Sequence, residues 1–279
     1  MSAEALPVAL ITGASSGIGL ATANLFADRG WRVVATMRRP SDGGALLEHP
    51  QVTVLPLDVT DPVSVQAAVA ATLDRFGRID AVVNNAGYGL FGPFETATDE
   101  QIRRQFATNV DGVFAVTRAV LPTMRRQRSG TIINVASLGG LVTFPFFSLY
   151  HATKFAVVGF TESLSFELAP LGIRAKCIAP GGVATDFAGR SLARTFAEGE
   201  DAYGDSLSKV MAAMSALGGN YSSPVSIAEV IFTAATDETG QVLYLAGADA
   251  EQIGVLRHTQ SEAERLDMVR HYSGLMAAS

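Results

Sequence analysis

Short, nearly unbroken apolar runs recur along this chain, each followed by a longer stretch in which apolar residues fall three and four apart. The runs are PVALIT (7–12), WRVVATMR (31–38), QVTVLPLDV (51–59), RIDAVVNNAG (78–87), TIINVAS (131–137), IRAKCIAP (173–180) and QVLYLAG (241–247). Runs of this length, apolar on both alternating faces, predict strands buried on two sides. Between them the helical spacing predicts helices from about 20 to 30, 62 to 76, 99 to 127, 148 to 170 and 223 to 238. Asp61-Pro62 suits a cap followed by a first helical residue, and Gly30 and Gly172 suit helix ends. Strand and helix alternate regularly, which predicts an α/β fold: a doubly wound, mostly parallel seven-stranded Rossmann sheet with helices on both faces.

The pattern changes twice. From Phe187 to about Ser223 the chain is amphipathic and punctuated by glycine, which predicts a small helical lid inserted over a pocket. The tail from about 248 to 279 holds a charged, helical stretch near 258–271 with no evident task. The whole, 1–279, is expected to be one dinucleotide-binding domain.

Composition narrows the function classes. At 279 residues and 48% hydrophobic the chain can bury a substantial core. It carries 21 basic and 27 acidic residues for a net charge of −6, with no basic run longer than two, which argues against a nucleic-acid partner. Between Arg128 and Lys154 there is no charged residue, yet Asn134, Gly139-Gly140 and Pro145 break the stretch, so buried core is expected rather than a membrane span. The N-terminus lacks a basic segment ahead of its apolar run, and the single cysteine, Cys177, lies in an apolar strand; a cytoplasmic setting is expected. His49, His151, His258 and His271 have no metal-binding spacing, so no metal is expected.

The candidate chemistry centres on SLGGLVTFPFFSLYHATK, 137–154. Tyr150 and Lys154 share a helix face and lie roughly 6 Å apart along the axis. A free phenol, with a pKa of about 10, is a weak base at neutral pH; a nearby ammonium favours the phenolate and is expected to lower that value. Ser137, at a strand end, can hold a substrate oxygen whose charge grows in the transition state. Taken alone, the same spacing also suits an ordinary solvated helix face.

Upstream, GASSGIG (13–19) joins a strand to a helix with the spacing G-x-x-x-G-x-G. Its glycines suit the close approach of a phosphate to a helix N-terminus, or simply a tight strand-to-helix turn. Arg38 ends the second strand where an acid would meet a ribose 2′-hydroxyl; an arginine suits a 2′-phosphate, or marks an exposed loop start. Asp58 stands where it can meet adenine or stabilise a turn. Asn84-Asn85-Ala86-Gly87 can hold neighbouring strands and admit an adenosine. Asn109, a poor helix former in mid-helix, can hold a water or be satisfied within a helix pair.

Together these motifs, in this order over residues 7 to 186, resemble the short-chain dehydrogenase/reductase family. The strand end ATMRR and NNAGYGLFGPFE are similar to its 17β-hydroxysteroid and retinol dehydrogenase subgroup. The resemblance implies a tetrad of Asn109, Ser137, Tyr150 and Lys154, with Tyr150 as acid–base, Lys154 on the nicotinamide ribose, Ser137 on the carbonyl and Asn109 behind a proton-relay water. It implies that Gly13, Ser15, Ser16, Gly17, Ile18 and Gly19 cradle the pyrophosphate and that Asp58, Val59, Asn85, Ala86 and Gly87 face the adenosine. Val183 and Thr185 would hold the nicotinamide carboxamide, and Pro180 and Gly181 would line the cofactor site. NADP is expected from Arg38, although Ser16 stands where many NADP-using members carry a basic residue, and NAD stays open. Leu138, Tyr88, Phe144 and Phe147 would wall a pocket for a hydrophobic carbonyl or alcohol. A homodimer or homotetramer is implied by the resemblance only. A catalytically silent dinucleotide sensor or scaffold is the alternative from another class; enoyl reduction, which in relatives uses a longer tyrosine-to-lysine spacing, is the rival chemistry.

Overall fold

A computed structural model describes residues 6–185, 191–196, 202–217 and 221–275. The N-terminal half runs β1 (Val8–Thr12), α1 (Gly17–Asp28), β2 (Arg32–Met37), β3 (Val52–Pro56), α2 (Pro62–Phe76), β4 (Ala81–Asn84), β5 (Gly89–Phe91), α3 (Asp99–Phe106) and α4 (Gly112–Gln127). It continues with β6 (Gly130–Val135), α5 (Ser148–Leu168), β7 (Ile173–Pro180), β8 (Leu192–Arg194), α6 (Gly204–Leu217), α7 (Pro224–Thr236) and β9 (Leu243–Ala246). The tail forms α8 (Ala248–Gly254), α9 (Leu256–Thr259) and α10 (Glu262–Tyr272). Seven strands build one parallel sheet in the order β3-β2-β1-β4-β6-β7-β9, as the alternating pattern predicts.

Period-two alternation decides which residues meet which layer. Ala9 and Ile11 of β1 pack with Phe26 of α1 and with Ile227 and Ile231 of α7. Val8 and Leu10 point the other way, into Val65 and Val69 of α2, Val116 and Val120 of α4 and Leu164 of α5. Phe26 is fully buried, edge-on to Trp31 at 5.1 Å and Phe232 at 5.0 Å, a burial worth about 2–3 kcal/mol for such a side chain. Local signals hold at α2: Asp61 Oδ1 accepts from Val63 N at 2.9 Å, Pro62 begins the helix and Gly77 ends it at φ +73°.

Four expectations are corrected. The third and fifth strands stop at Pro56 and Val135, so Asp58 and Ser137 stand two residues beyond their strands, in the crevice where the backbone turns away. The single helix expected over 99–127 is interrupted by a π-helical turn, Ala107–Asp111, closed by Gly112 N donating to Ala107 O. Gly112 sits tightly on Val59; a Cβ there would stand 2.7 Å from Val59 Cγ2. The charged tail is helical, but its main helix begins at Glu262 and two short helices precede it. The lid expectation over 187–223 falls partly on residues outside the described set, 186–190, 197–201 and 218–220. Its described part is α6 and a short strand, β8, which pairs with β5 in a second, two-stranded sheet that the apolar pattern gave no sign of.

The strand order reverses between β1 and β4. In open α/β sheets the crevice at that reversal, beyond the carboxyl ends of the strands, is where ligands bind.

Candidate active site

The crevice is lined first by the turn after β1. Gly13 has φ +68°, and a Cβ on it would stand 2.9 Å from Ala86 Cα; on Gly19 a Cβ would meet Gly13 O at 2.3 Å and Asn85 Nδ2 at 2.5 Å. Both positions therefore require glycine, because the end of β4 lies directly on the turn. Asn85 stitches the two together: Nδ2 donates to Thr12 O at 3.0 Å and Gly13 O at 3.1 Å. Thr12 Oγ1 accepts from Asn85 N and Ala86 N at 3.0 and 3.1 Å. Ser16 is the residue before α1, yet its side chain does not cap the helix, so the first-turn N–H groups and the positive end of a 12-residue helix face the crevice. Ser15 and Ile18 flank it, with Ile18 O accepting from Thr22 Oγ1 at 2.7 Å. Thr185 reaches the same turn; a Cβ on Gly17 would stand 3.4 Å from Thr185 Cγ2. This cradle fits a dinucleotide pyrophosphate in both backbone shape and dipole sign.

At the far end, Asp58 stabilises the turn after β3. Oδ1 accepts from Thr60 N at 2.9 Å and Thr60 Oγ1 at 2.7 Å, which makes the turn. Burial alone would raise its pKa; the two Thr60 bonds and the charges of Arg38 and Arg104 outweigh this and hold the carboxyl below its ordinary value. Arg38 is exposed and so free to meet an anion. The Val59 side chain turns into the core with Val65 and Val116, so only its main chain borders the crevice.

The catalytic candidates converge where β6 ends against α5. The hydroxyls of Ser137 and Tyr150 are hydrogen-bonded, and Ser137 Oγ also accepts from Gly139 N at 3.0 Å. Lys154 is buried one turn behind, its Nζ 5.7 Å from the Tyr150 ring centre and donating to Val135 O at 2.9 Å. The expected lowering of the phenol pKa is not what this geometry produces. Burial raises the Tyr150 pKa above 10, with the Ser137 bond opposing in part. The lysine points its ammonium at the Val135 carbonyl rather than at the phenol oxygen. Burial also pulls Lys154 down to about 8, which still leaves it charged at neutral pH, and pushes the Cys177 thiol up to about 12.

Asn109 occupies the π-helical turn, where its side chain is taken up by Tyr88 and Thr153. Oδ1 accepts from Tyr88 N at 3.0 Å, and Nδ2 donates to Tyr88 O at 2.9 Å and Thr153 Oγ1 at 3.1 Å. The amide thus holds the loop after β4 against α5, so it is satisfied mainly by a loop rather than within a helix pair. A Cβ on Gly87 would stand 3.2 Å from Asn109 Oδ1, which keeps that residue small.

The pocket wall divides. Leu138 is buried beside Ser137, and the Phe147 ring lies 6.1 Å from Tyr150. Phe147 continues to Phe91 at 4.8 Å, and Phe91 to Phe196 at 6.1 Å. Tyr88 and Phe144 have different neighbours. The Tyr88 ring lies 5.9 Å from the Arg104 guanidinium, toward Asp58, because both ends of its peptide are pinned by Asn109. Phe144 packs on the core cluster of Leu138, Leu141 and Val142, its ring 5.9 Å from His151. Pro180 ends β7, and Gly181 N donates to Ala246 O at 3.0 Å, so the following Gly182–Thr185 stretch hangs over the crevice.

Several contributors escaped the sequence reading. His151, beside Tyr150, is buried, and its two ring nitrogens meet Gly139 O at 2.7 Å and Phe144 N at 3.0 Å. Since Phe144 N can only donate, Nε2 accepts and Nδ1 carries the proton. Asn84 holds its neighbouring strand as the sequence suggests, donating to Asn134 Oδ1 at 2.8 Å and to Thr117 Oγ1 at 3.1 Å; the unforeseen members of this buried ladder are Thr117, Asn134 and Thr161. The pairing of Asn84 with Asn134 across β4 and β6 is the single local hint, visible once strand register is known.

The comparisons with known proteins agree with this geometry. The family model described as short chain dehydrogenase matches residues 7–195. An uncharacterized oxidoreductase of Schizosaccharomyces pombe is 38% identical over 244 residues, covering 86% of this chain and 100% of that protein. A 3-ketodihydrosphingosine reductase of Bacteroides thetaiotaomicron is 40% identical over 200 residues, 71% of this chain and 72% of the other. Among solved structures, a short-chain dehydrogenase from Streptomyces avermitilis superimposes with a TM-score of 0.82 at 34% identity, over 97% of this chain and 95% of its own. A 3-ketoacyl-(acyl-carrier-protein) reductase from Brucella melitensis complexed with NADH gives 0.73 at 31% identity, over 88% and 98%. ElxO with NADP bound gives 0.71 at 28%, over 85% and 96%. Among the described residues no helix is long and apolar enough to cross a membrane.

Proposed function

The chain belongs to the short-chain dehydrogenase family, and from that premise we propose that it is an NADP(H)-dependent oxidoreductase acting on the carbonyl or secondary alcohol of a hydrophobic substrate. The observation that carries this reading is the Ser137–Tyr150 hydroxyl pair with Lys154 buried behind it. The bound nicotinamide would supply or accept the hydride. Tyr150 would give its proton to the substrate oxygen in reduction and take it back in oxidation. Its raised pKa keeps the phenol protonated at neutral pH, the form reduction needs. Ser137 would orient the same oxygen and stabilise its growing charge. Lys154 has one main-chain acceptor at 2.9 Å and two further ammonium protons with which to meet ribose hydroxyls. The side chain of Asn109 would act by fixing the Tyr88 loop rather than by holding a water.

The 2′-phosphate preference rests on Arg38, exposed at the end of β2 with Met37 where an acid would select a ribose. The substrate class rests on the aromatic run from Tyr150 through Phe147 and Phe91 to Phe196. Titration of the purified protein with NADPH and NADH, followed by nicotinamide fluorescence and then a panel of hydrophobic ketones, tests both. NADPH is expected to bind at least tenfold tighter than NADH, to be oxidised on ketone addition, and to lose that preference in Arg38→Ala, since a hydrogen bond to a charged group contributes about 1.5–3 kcal/mol. Equal affinity for the two cofactors in both proteins would remove the phosphate role. Binding without turnover would favour a sensor.

A further inference from the structure

The stretch Gly182–Thr185 that overhangs the crevice is held from behind by the C-terminal tail. Asp249, the second residue of α8, accepts from Gly182 N through Oδ2 at 2.6 Å. The fit is close: a Cβ on Gly181 would stand 2.0 Å from Asp249 Oδ1, and one on Gly247 would stand 3.1 Å from it. Tyr221 covers the next glycine; a Cβ on Gly182 would stand 2.4 Å from Tyr221 Cδ1. Two further bonds lace this side: Ser222 N donates to Gly182 O at 2.9 Å, and Ala184 N donates to Ser222 O at 2.8 Å. Asp249 Oδ1 is enclosed by protein and has no hydrogen-bond partner among the described residues. An enclosed, half-satisfied carboxylate costs stability, and its short charge-assisted bond to one particular amide is the evident return. The same tail reaches the catalytic loop, where Arg257 Nη1 donates to Gly140 O at 3.4 Å over the Phe155 ring.

We propose that Asp249 is a positioning residue for the nicotinamide half of the cofactor. By fixing the Gly182 amide it sets where Val183 and Thr185 stand above the crevice, so the tail, remote in sequence from the glycine turn, holds one of the two ends at which a dinucleotide is gripped. This rests on the reading above that Val183 and Thr185 hold the carboxamide. The adenosine half, gripped by the turn after β1 and by Asp58, makes no use of Asp249.

The test separates those halves. Wild type, Asp249→Ala, Asp249→Asn and Asp249→Ser are titrated with NADPH and NADH, and separately with ADP-ribose and its 2′-phosphate, by calorimetry. Removing a hydrogen bond to a charged acceptor is expected to weaken whole-dinucleotide binding by roughly tenfold or more in Asp249→Ala and Asp249→Ser, while the ADP-ribose ligands bind within about twofold of wild type. Asp249→Asn, whose amide oxygen can still accept from Gly182 N, should recover most of the loss. Parallel weakening of both ligand sets would mean a general structural role and overturn the proposal, as would unchanged dinucleotide binding in the alanine and serine variants. Wild type that binds no dinucleotide at all would sink the cofactor reading itself, and this proposal with it.

Discussion

Two tyrosine–lysine pairs are built into this molecule with nearly the same dimensions. Lys154 Nζ lies 5.7 Å from the Tyr150 ring centre, and Lys176 Nζ lies 5.4 Å from that of Tyr244. Both lysines are buried, at 7% and 1% exposure. The difference is what else they touch. Lys176 donates to Thr239 O at 2.8 Å, Gln241 O at 2.7 Å and Tyr244 Oη at 3.1 Å, with the Asp237 carboxylate 3.7 Å away and bonded to the tyrosine hydroxyl. Every ammonium proton is committed, the charge is balanced, and the result ties β7, β9 and the turn between α7 and β9 together. Lys154 has one carbonyl acceptor and, among the described residues, no carboxylate within ion-pair distance. Its tyrosine is bonded to Ser137. Burial and adjacency alone therefore do not mark a reactive pair. What sets the pair proposed for catalysis apart is its unspent donors.

The largest expected effect breaks the comparison at the tyrosines. Tyr150→Phe should lower kcat by about 10²–10⁴-fold, the usual share of a general acid–base, with cofactor affinity nearly unchanged. Tyr244→Phe should leave kcat within a few-fold. Substantial turnover in Tyr150→Phe would refute the assignment.

Acid should separate the two pairs next. The loop in front of Tyr150 is held by His151, whose burial pulls its pKa from 6.5 to about 4. A base with a depressed folded pKa favours its neutral form. Its contribution is complete above about pH 6.5 and is lost as pH falls from there toward 4, roughly 3 kcal/mol in all for this separation of values. Asp237, held well below the usual carboxylate range by its Tyr244 and Thr239 bonds, keeps its charge over that whole interval. Denaturant unfolding of wild type and His151→Gln at pH 7 and pH 4.5 checks this. The variant should lose the component that wild type shows, and identical pH dependence in the two would count against it.

The smallest effect falls on the satisfied pair. Lys176→Ala removes the hydrogen bonds to Thr239 O, Gln241 O and Tyr244 Oη, each worth about 0.5–1.5 kcal/mol, and should lower the unfolding midpoint by several degrees with kcat intact. A fall in kcat with unchanged stability would erase the distinction drawn between the pairs.

How far the sequence alone reaches follows from what kind of information each feature needs. The parallel sheet, its strands and most of its helices were legible, because burial on both faces writes itself as apolar runs and 3.6-residue spacing. So were the glycine turn and the Tyr150–Lys154 face, since their geometry is set within a few residues. Three things were decided only by tertiary contact. Asn109 sits in a π-helical turn where Tyr88, 21 positions away, takes up its amide. Burial, which depends on everything packed around Tyr150, raised a pKa that the local lysine alone would lower. Asp249 reaches the site across 67 positions to one amide of Gly182, and nothing in its neighbours along the chain marks it. Local sequence fixes periodicity and turn chemistry; desolvation and the choice of hydrogen-bond partner are properties of whatever the folded chain brings near, and those were settled when the sheet closed its layers.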